Sequence, residues 1–411
     1  MKPITVLSLF DGIFCGHVAL DRAGIPVRRY FASEIDKYAM AVTRYNYPET
    51  IFLGDVENID SKQFEGKIDL LIGGSPCTNL SIAGNRKGLE GNESRLFWEY
   101  VRALKEIKPK YFLLENVESM SDKDKEIISK EVGCYPIMIN SSLLSAQNRK
   151  RYYWFNWGNK QYNLFGFPTC DIPQPKDKHI LLKDILESGM GYKDKAYCLT
   201  TRYSCACIWN SLERKQRTMV AEPVVIDDKA ETIKAQYYKS GVANFLRDDA
   251  FKATGVFYPV IYQLPHGYNN GGIIKDKAPS MTTSAWEHNN KVVQIGNVGS
   301  NAQAQRVFSV RGKSITLNAN GGGQGGKTGL YKIDLPDGEY IIRKLTPREC
   351  ERLQTLSDDY TLNGMDEDNN YVVISNTQRY KQCGNGWTVD VIAYILSFLK
   401  EANNGFSTRV S

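Results

Sequence analysis

The sequence predicts an α/β protein built on a doubly wound, parallel sheet, with a smaller β-rich part following it. Three observations lead there. Up to about Gly158, short β-rich apolar runs alternate with segments of helical period, as βαβ units do. Beyond that point helical periodicity fades while Gly, Asn, Thr and Tyr rise. The chain has 411 residues, enough for two cores.

In chain order, ITVLSLF (Ile4–Phe10) reads as a strand and HVALDRAG (His17–Gly24) as a helix stopped by glycine. VRRYFASE (Val27–Glu34) reads as a strand, and KYAMAVTRYNYP as a helix ended by Pro48. Then follow IFLGD, the strand IDLLIGG, a helix through LFWEYVRALKEI and the strand YFLLENV. The middle of the chain carries a loose repeat: KAYCLTTRY, KAETIKAQYY, KAPSMTTSAW and GKSITLNANGG. Each repeat precedes a β-like run, so the region reads as one β-rich domain of related hairpin-like units, with chance similarity among Thr-rich strands as the alternative. GWTVDVIAYILSFLKEA is an amphipathic helix expected to pack back on the first domain. The expected division is 1–180, 181–379 and a return over 380–411.

Composition excludes some classes. The N-terminus lacks the basic start and apolar core of a signal peptide, and no run of about 18 apolar residues implies a membrane span. Nine cysteines, without CxxC pairs or His partners at zinc spacing, read as free thiols in a reducing cytoplasm, with no metal site. Cys205 and Cys207, on a strand, would share a face. A net charge of +6 permits a polyanionic partner without requiring one.

Asp11, Glu34, Asp55, Cys77 and Glu115 all fall at or just past expected strand ends, where ligands bind in such sheets. SLFDGIFCG is a strand-turn-helix with Gly12 and Gly16 but without the full GxGxxG, and it carries Phe14 where a pyrophosphate would need close backbone approach. Glu34, about 20 residues on, can bond ribose hydroxyls. Asp55 can accept from an adenine amino group. Adenosine without pyrophosphate points to S-adenosylmethionine; a flavodoxin-like turn with solvated carboxylates is the alternative.

GGSPCTNLSIAG places Cys77 on a Gly-rich loop leading into a turn or helix start, where a thiolate is stabilised. YFLLENV presents Glu115 after apolar positions, a partly desolvated carboxyl suited to proton donation. Alone, Cys77 reads as a buried thiol; with Glu115 at an adjacent strand end, the pair suits conjugate addition to a pyrimidine. In AQNRKRYYWFNW, Arg149 and Arg151 alternate on one face, as on a strand edge reaching phosphate or carbonyl oxygens, or as a solvated basic run.

Together these motifs resemble, in order and over nearly the whole chain, those of the DNA (cytosine-5) methyltransferases of bacteria and their phages. SLFDGIFCG, SEID and GDV resemble the cofactor motifs, GGSPCTNLSIAG the nucleophile motif, LLENV the acid motif and QNRKR the arginine motif. RKLTPREC and QCGNGWTV resemble the last two. The resemblance implies a Rossmann-like, AdoMet-dependent catalytic domain with a smaller β-rich target-recognition domain, acting on double-stranded DNA as a cytoplasmic monomer without metal. It makes Cys77 the attacking thiolate, Glu115 its acid partner, Arg151 a contact to the base and Arg149 a support for Cys77. Phe10, Asp11, Gly12, Glu34, Ile35, Asp55, Val56, Pro76, Asn385 and Val389 would line the cofactor. RVFSVRGKSITLNANGGG resembles a recognition segment, with Gln303, Arg306, Thr316, Gly321 and Gly322 toward DNA. A tRNA-cytosine methyltransferase and a catalytically silent DNA-binding homologue are the alternatives. Two positions depart from the family pattern, Ser8 and Phe14; Phe14 is expected to face the helix and leave the cofactor site open.

Overall fold

The computed structural model describes residues 1–76, 95–162, 167–223, 261–263, 272–274, 291–292, 294–297, 306–309, 330–335 and 338–404. The chain forms two compact units: Met1–Ile185 with Lys193–Tyr203 and Thr346–Ser411, and Leu186–Tyr192 with Ser204–Leu345.

In the first unit, β1 (Ile4–Leu9), β2 (Val27–Ser33), β3 (Ile51–Phe52), β4 (Leu70–Gly73), β5 (Tyr111–Val117), β6 (Ile137–Asn140) and β7 (Lys150–Phe155) form one sheet. Their order is β3-β2-β1-β4-β5-β7-β6. The first five pair in parallel, as expected, but β7 runs antiparallel to both β5 and β6. The sheet is therefore mixed, and the basic strand is an interior one instead of an edge. Successive side chains of β1 enter opposite cores. Val6 joins Leu20, Val42, Ile72 and Ile392 on one face, while Leu7 joins Phe97, Tyr100, Leu114 and Trp154 on the other.

Helices α1 (Cys15–Ala23), α2 (Lys37–Asn46), α3 (Arg95–Ile107) and α4 (Asp122–Val132) make the crossovers. Gly24 ends α1 at φ +64°, where only glycine is unstrained, and its N–H returns to Asp21 and Leu20 carbonyls. Asp36 and Ser121 cap α2 and α4 by accepting main-chain N–H groups. The last helix, Val389–Asn404, joins the first unit's core through Val391, Ile392, Ile395 and Leu399. Trp157 Nε1 donates to Ile395 O at 3.0 Å, and Arg22 pairs with Asp390 at 2.6 Å.

Two segments grouped with the middle of the chain by their texture pack with the first unit. KAYCLTTRY does so because the Lys195 ammonium donates to the carbonyls of Ser142, Ser145 and Ile180. The return falls at Thr346, ahead of residue 380, because helix Pro347–Leu353 and its successors share this core. Thr346 and Glu349 form a capping box with Pro347 in the first turn. Glu351 is fully buried; it pairs with Arg379 at 2.9 Å and accepts from the Asp359 and Thr361 N–H groups.

The second unit is β-rich. One sheet runs Met190–Gly191, Met219–Pro223, Gly338–Lys344, Leu330–Leu335, Arg306–Ser309, Gln294–Asn297, with the Arg306 and Leu330 strands parallel and the other neighbours antiparallel. A second sheet joins Gly272–Ile274, Ile261–Gln263 and Lys291–Val292. Cys205 closes a short 3-10 turn and Cys207 precedes helix Ile208–Leu212, so neither lies on a strand. The other three repeats fall wholly or largely outside the described residues.

Phe14 turns away from solvent at φ +68° and is fully buried. Its ring stacks on His17 of α1 at 4.9 Å and touches Tyr30 and Tyr47 at 4.3 and 4.7 Å. Ser8, the other departure, is buried in β1 between Ala32 and Ile72. Tyr30 OH donates to Asp11 Oδ1 at 2.8 Å, while Oδ2 is buried without a partner among the described residues. Burial pushes the Asp11 carboxyl up to about 7.

Because the native state holds this proton more tightly than the unfolded chain, stability should fall as pH rises from about 4 to about 7. Asp11→Asn should flatten that slope and gain on the order of 4 kcal/mol at most above neutrality. Urea unfolding from about pH 5 to about pH 8 measures it, and equal slopes in both proteins would refute the assignment. Arg379→Met, which strands the Glu351 charge, should cost about 3–5 kcal/mol, and adding Glu351→Met should restore much of it. Denaturant midpoints with unchanged m-values decide; a loss close to zero for the single variant contradicts the coupling.

Candidate active site

The loops at the carboxyl end of the first unit's parallel strands are tied together by main-chain bonds. Phe10 follows β1, half-buried, at φ +58°, a conformation rare outside glycine and common at working sites. Asp11 N–H donates to Ser33 O at 3.1 Å, and Ser33 Oγ donates to Gly54 O at 2.8 Å. Gly12, at φ +63°, donates its N–H to Glu34 Oε2 at 2.8 Å. Glu34 Oε1 accepts from the Ile35 and Asp36 N–H groups, both at 2.8 Å. The carboxylate is thus fixed by three main-chain donors. Ile35 beside it is 73% exposed, an unusual setting for isoleucine. Asp55 caps the next turn by accepting from Glu57 N–H, and Val56 is buried under it. Among the described residues, nothing lies within 4 Å of the position a Cβ would take at Gly12 or Gly54, so these residues leave the space above both turns open.

Cys77 and residues through 94 lie outside the described residues. The chain approaches Cys77 through Gly74, buried Ser75 and exposed Pro76. Asn116 Nδ2 holds Ser75 at both its carbonyl, 3.3 Å, and its hydroxyl, 3.2 Å. A Cβ on Gly74 would lie 2.9 Å from both Glu115 Oε2 and Trp387 Nε1, so only glycine lets the loop pass this close to the carboxylate.

Glu115 is 8% exposed. Its Oε1 takes Arg151 Nε at 2.8 Å and its Oε2 takes Trp387 Nε1 at 3.1 Å. Arg151 Nη1 donates to Lys150 O at 2.8 Å, which fixes the plane of the guanidinium. Arg149 is buried, and its Nη1 and Nη2 donate to Leu199 O at 3.1 Å and Gly386 O at 3.0 Å. A pinned carboxylate with a rigid arginine beside a glycine passage is an arrangement that can hydrogen-bond one edge of a flat polar ring.

Asn385 is exposed at the end of helix Asn376–Asn385, whereas the Val389 side chain is sealed in the core. Arg306 opens a strand of the second unit. Gln303, Thr316, Gly321 and Gly322 lie outside the described residues. No group of three or more His, Cys, Asp or Glu among the described residues could hold a metal ion, and no described helix is long and apolar enough to cross a membrane.

Sequence reasoning overlooked three residues here. Trp387, Asn116 and Gln147 each sit inside a motif already singled out. Gln147 Nε2 donates to Leu353 O at 2.7 Å and Gln354 Oε1 at 2.9 Å, joining the arginine motif to the end of helix Pro347–Leu353. Their signal was membership of a motif; their partners, up to 272 residues away, were not visible in the spacing.

Known proteins resemble this chain along its length. An orphan methyltransferase, M.SPRI of Bacillus phage SPR, is 32% identical over 456 aligned residues, covering 97% of this chain and 98% of that protein. The type II methyltransferase M.HhaI of Haemophilus parahaemolyticus is 26% identical over 405, covering 96% and 94%. The structure of the Entamoeba histolytica methyltransferase EhMeth shares the fold at a TM-score of 0.50 and 15% identity, covering 98% of this chain and 100% of that one. The profile described as C-5 cytosine-specific DNA methylase matches residues 4–401, so this chain belongs to that family of S-adenosylmethionine-dependent DNA methyltransferases.

Proposed function

We propose that the chain methylates carbon 5 of a cytosine flipped out of a specific duplex DNA site, through a transient bond to Cys77. The observation that carries this reading is Glu115, buried and held from both oxygens, directly beside Gly74, three residues ahead of Cys77 in the chain. The thiolate of Cys77 adds to carbon 6 of the ring. Glu115 hydrogen-bonds ring nitrogen 3 and gives it a proton as negative charge develops there, and Arg151 meets the base oxygen. Carbon 5 then becomes nucleophilic and takes the methyl group; water removes its proton, the ring expels the sulfur as thiolate, and nitrogen 3 returns its proton to Glu115. When bound, S-adenosylmethionine supplies an electrophilic methyl group.

The residues of the β1 and β2 turns suit that cofactor. Glu34, already oriented by three N–H groups, takes ribose hydroxyls, the exposed Ile35 covers one adenine face, and Asp55 accepts from the adenine amino group. Phe10, Asp11, Gly12, Val56, Pro76 and Asn385 complete the lining, with Val389 supporting it from the core. Phe14 leaves this space, since its ring is in the aromatic cluster under α1. The first unit is the catalytic part. The β-rich second unit reads the site, with Arg306 bonding a guanine and Gln303, Thr316, Gly321 and Gly322 on the recognition segment. A β-rich insertion of this length favours duplex DNA over tRNA, where recognition exploits exposed loops and the 2′-hydroxyl. Extruding the base costs a few kcal/mol, which contacts to the DNA backbone offset.

Cys77→Ser should leave no methyl incorporation into DNA while duplex binding stays within a few-fold of the parent. Methyl-transfer assays on duplex DNA and tRNA, gel shifts, and trapping on 5-fluorocytosine DNA test this. Full turnover by the variant ends the covalent mechanism, tRNA as the better acceptor ends the DNA assignment, and an inert parent protein makes the chain a silent homologue.

A further inference from the structure

Arg149 presents an unusual charge problem. It is 4% exposed, yet its side-chain hydrogen bonds to the described residues go to two carbonyl oxygens and to a sulfur, never to a carboxylate. A guanidinium withdrawn from water without a counter-ion costs several kcal/mol. Two residues on, Arg151 is also largely withdrawn from water and pairs with Glu115. One atom is shared by both arginines. Cys198 Sγ lies 3.4 Å from Arg149 Nη1 and 3.9 Å from Arg151 Nη2.

We propose that Cys198 carries a negative charge as the common counter-ion of Arg149 and Arg151, and that it is a positioning residue which holds Arg151 against Glu115. The proposal rests on the catalytic reading of Glu115 and Arg151 given above. With Cys198 in place, every nitrogen of the Arg151 guanidinium is engaged: Nε by Glu115, Nη1 by the Lys150 carbonyl, and Nη2 by the sulfur. Burial alone would raise the Cys198 pKa, but the charges of Arg149 and Arg151 and their hydrogen bonds outweigh it and bring the thiol below its ordinary range. Lys195, three residues earlier, pins this segment to the Ser142 and Ser145 carbonyls, so the sulfur is presented by anchored backbone.

The sulfur's charge and its kinetic role are measured separately. Thiolate ultraviolet absorbance is titrated in full-length Cys77→Ser and in Cys77→Ser/Cys198→Ser, which removes the nucleophile from the comparison. The first should show one more thiolate than the second at neutral pH, titrating below the ordinary thiol range. Kinetics are measured in proteins that keep Cys77. Cys198→Ala should lower kcat about tenfold or more with KM for duplex DNA little changed, and Cys198→Asp should recover part of the loss. Equal absorbance in the two titrated proteins overturns the charge, and a Cys198→Asp no better than Cys198→Ala, or a change confined to KM, overturns the positioning role. A parent protein inert toward DNA would instead defeat the catalytic reading, while the absorbance result would still decide whether Cys198 is charged.

Discussion

Reversal of one strand makes the Arg151–Glu115 pair possible. Because β7 runs antiparallel between β5 and β6, Arg151 sits opposite Val117 and reaches diagonally to Glu115, two residues back on β5. A parallel strand in that place would carry its basic start to the opposite end of the sheet, far from the loops after β1, β2 and β4. The ion pair in turn sets the carboxylate plane, which leaves Oε2 to the Trp387 indole, and the indole closes the space over Gly74. A buried pair of this kind is weak evidence for stability but strong evidence for geometry, since each partner's position depends on the other.

Behind that pair lies a second, uncharged network. Gln147, Gln354 and Thr388 bond one another among buried side chains, and Ser141 donates to Thr388 at 2.9 Å. These residues come from the loop before β7, from the end of helix Pro347–Leu353 and from the residue opening the last helix. Satisfied amides and hydroxyls in a low-dielectric setting allow few alternative arrangements. The Arg149 and Arg151 stems therefore emerge from a backbone fixed on several sides.

Much of the first unit was readable from residue pattern. Apolar runs such as Leu70–Gly73 and Tyr111–Val117 are short, continuous and bounded by charges or glycine, and buried parallel strands have few other ways to look. The carboxylates at strand ends were visible for the same reason, since topology gives them a common address. The direction of β7 was not visible, because a run of Arg, Tyr, Trp and Phe reads identically both ways. Nor was the return at Thr346: TPRE is a capping signal, but it starts a helix without saying which core that helix joins. Trp387 against Glu115 and Cys198 between two arginines are contacts across 272 and 47–49 residues, and local spacing carries no record of them. Phe14 was judged correctly to turn toward α1, for a simple physical reason: an aromatic ring beside His17, Tyr30 and Tyr47 gains more from burial than from a wet turn.

The docking of Val389–Asn404 against α1 has a consequence in time. A ribosome releases β1 and α1 first and this helix last, yet Val6, Leu20 and Ile392 belong to one core. At roughly 5–20 residues per second, the stretch between Trp157 and Val389 takes on the order of 10–50 s to synthesise. Throughout that interval the part of this face that Ile392, Ile395 and Leu399 will cover is an open apolar surface, while the intervening β-rich segment is being made. Premature association with other chains is the hazard of such a topology, and the abundance of finished protein in a cell is then governed by how the unfinished one is sheltered.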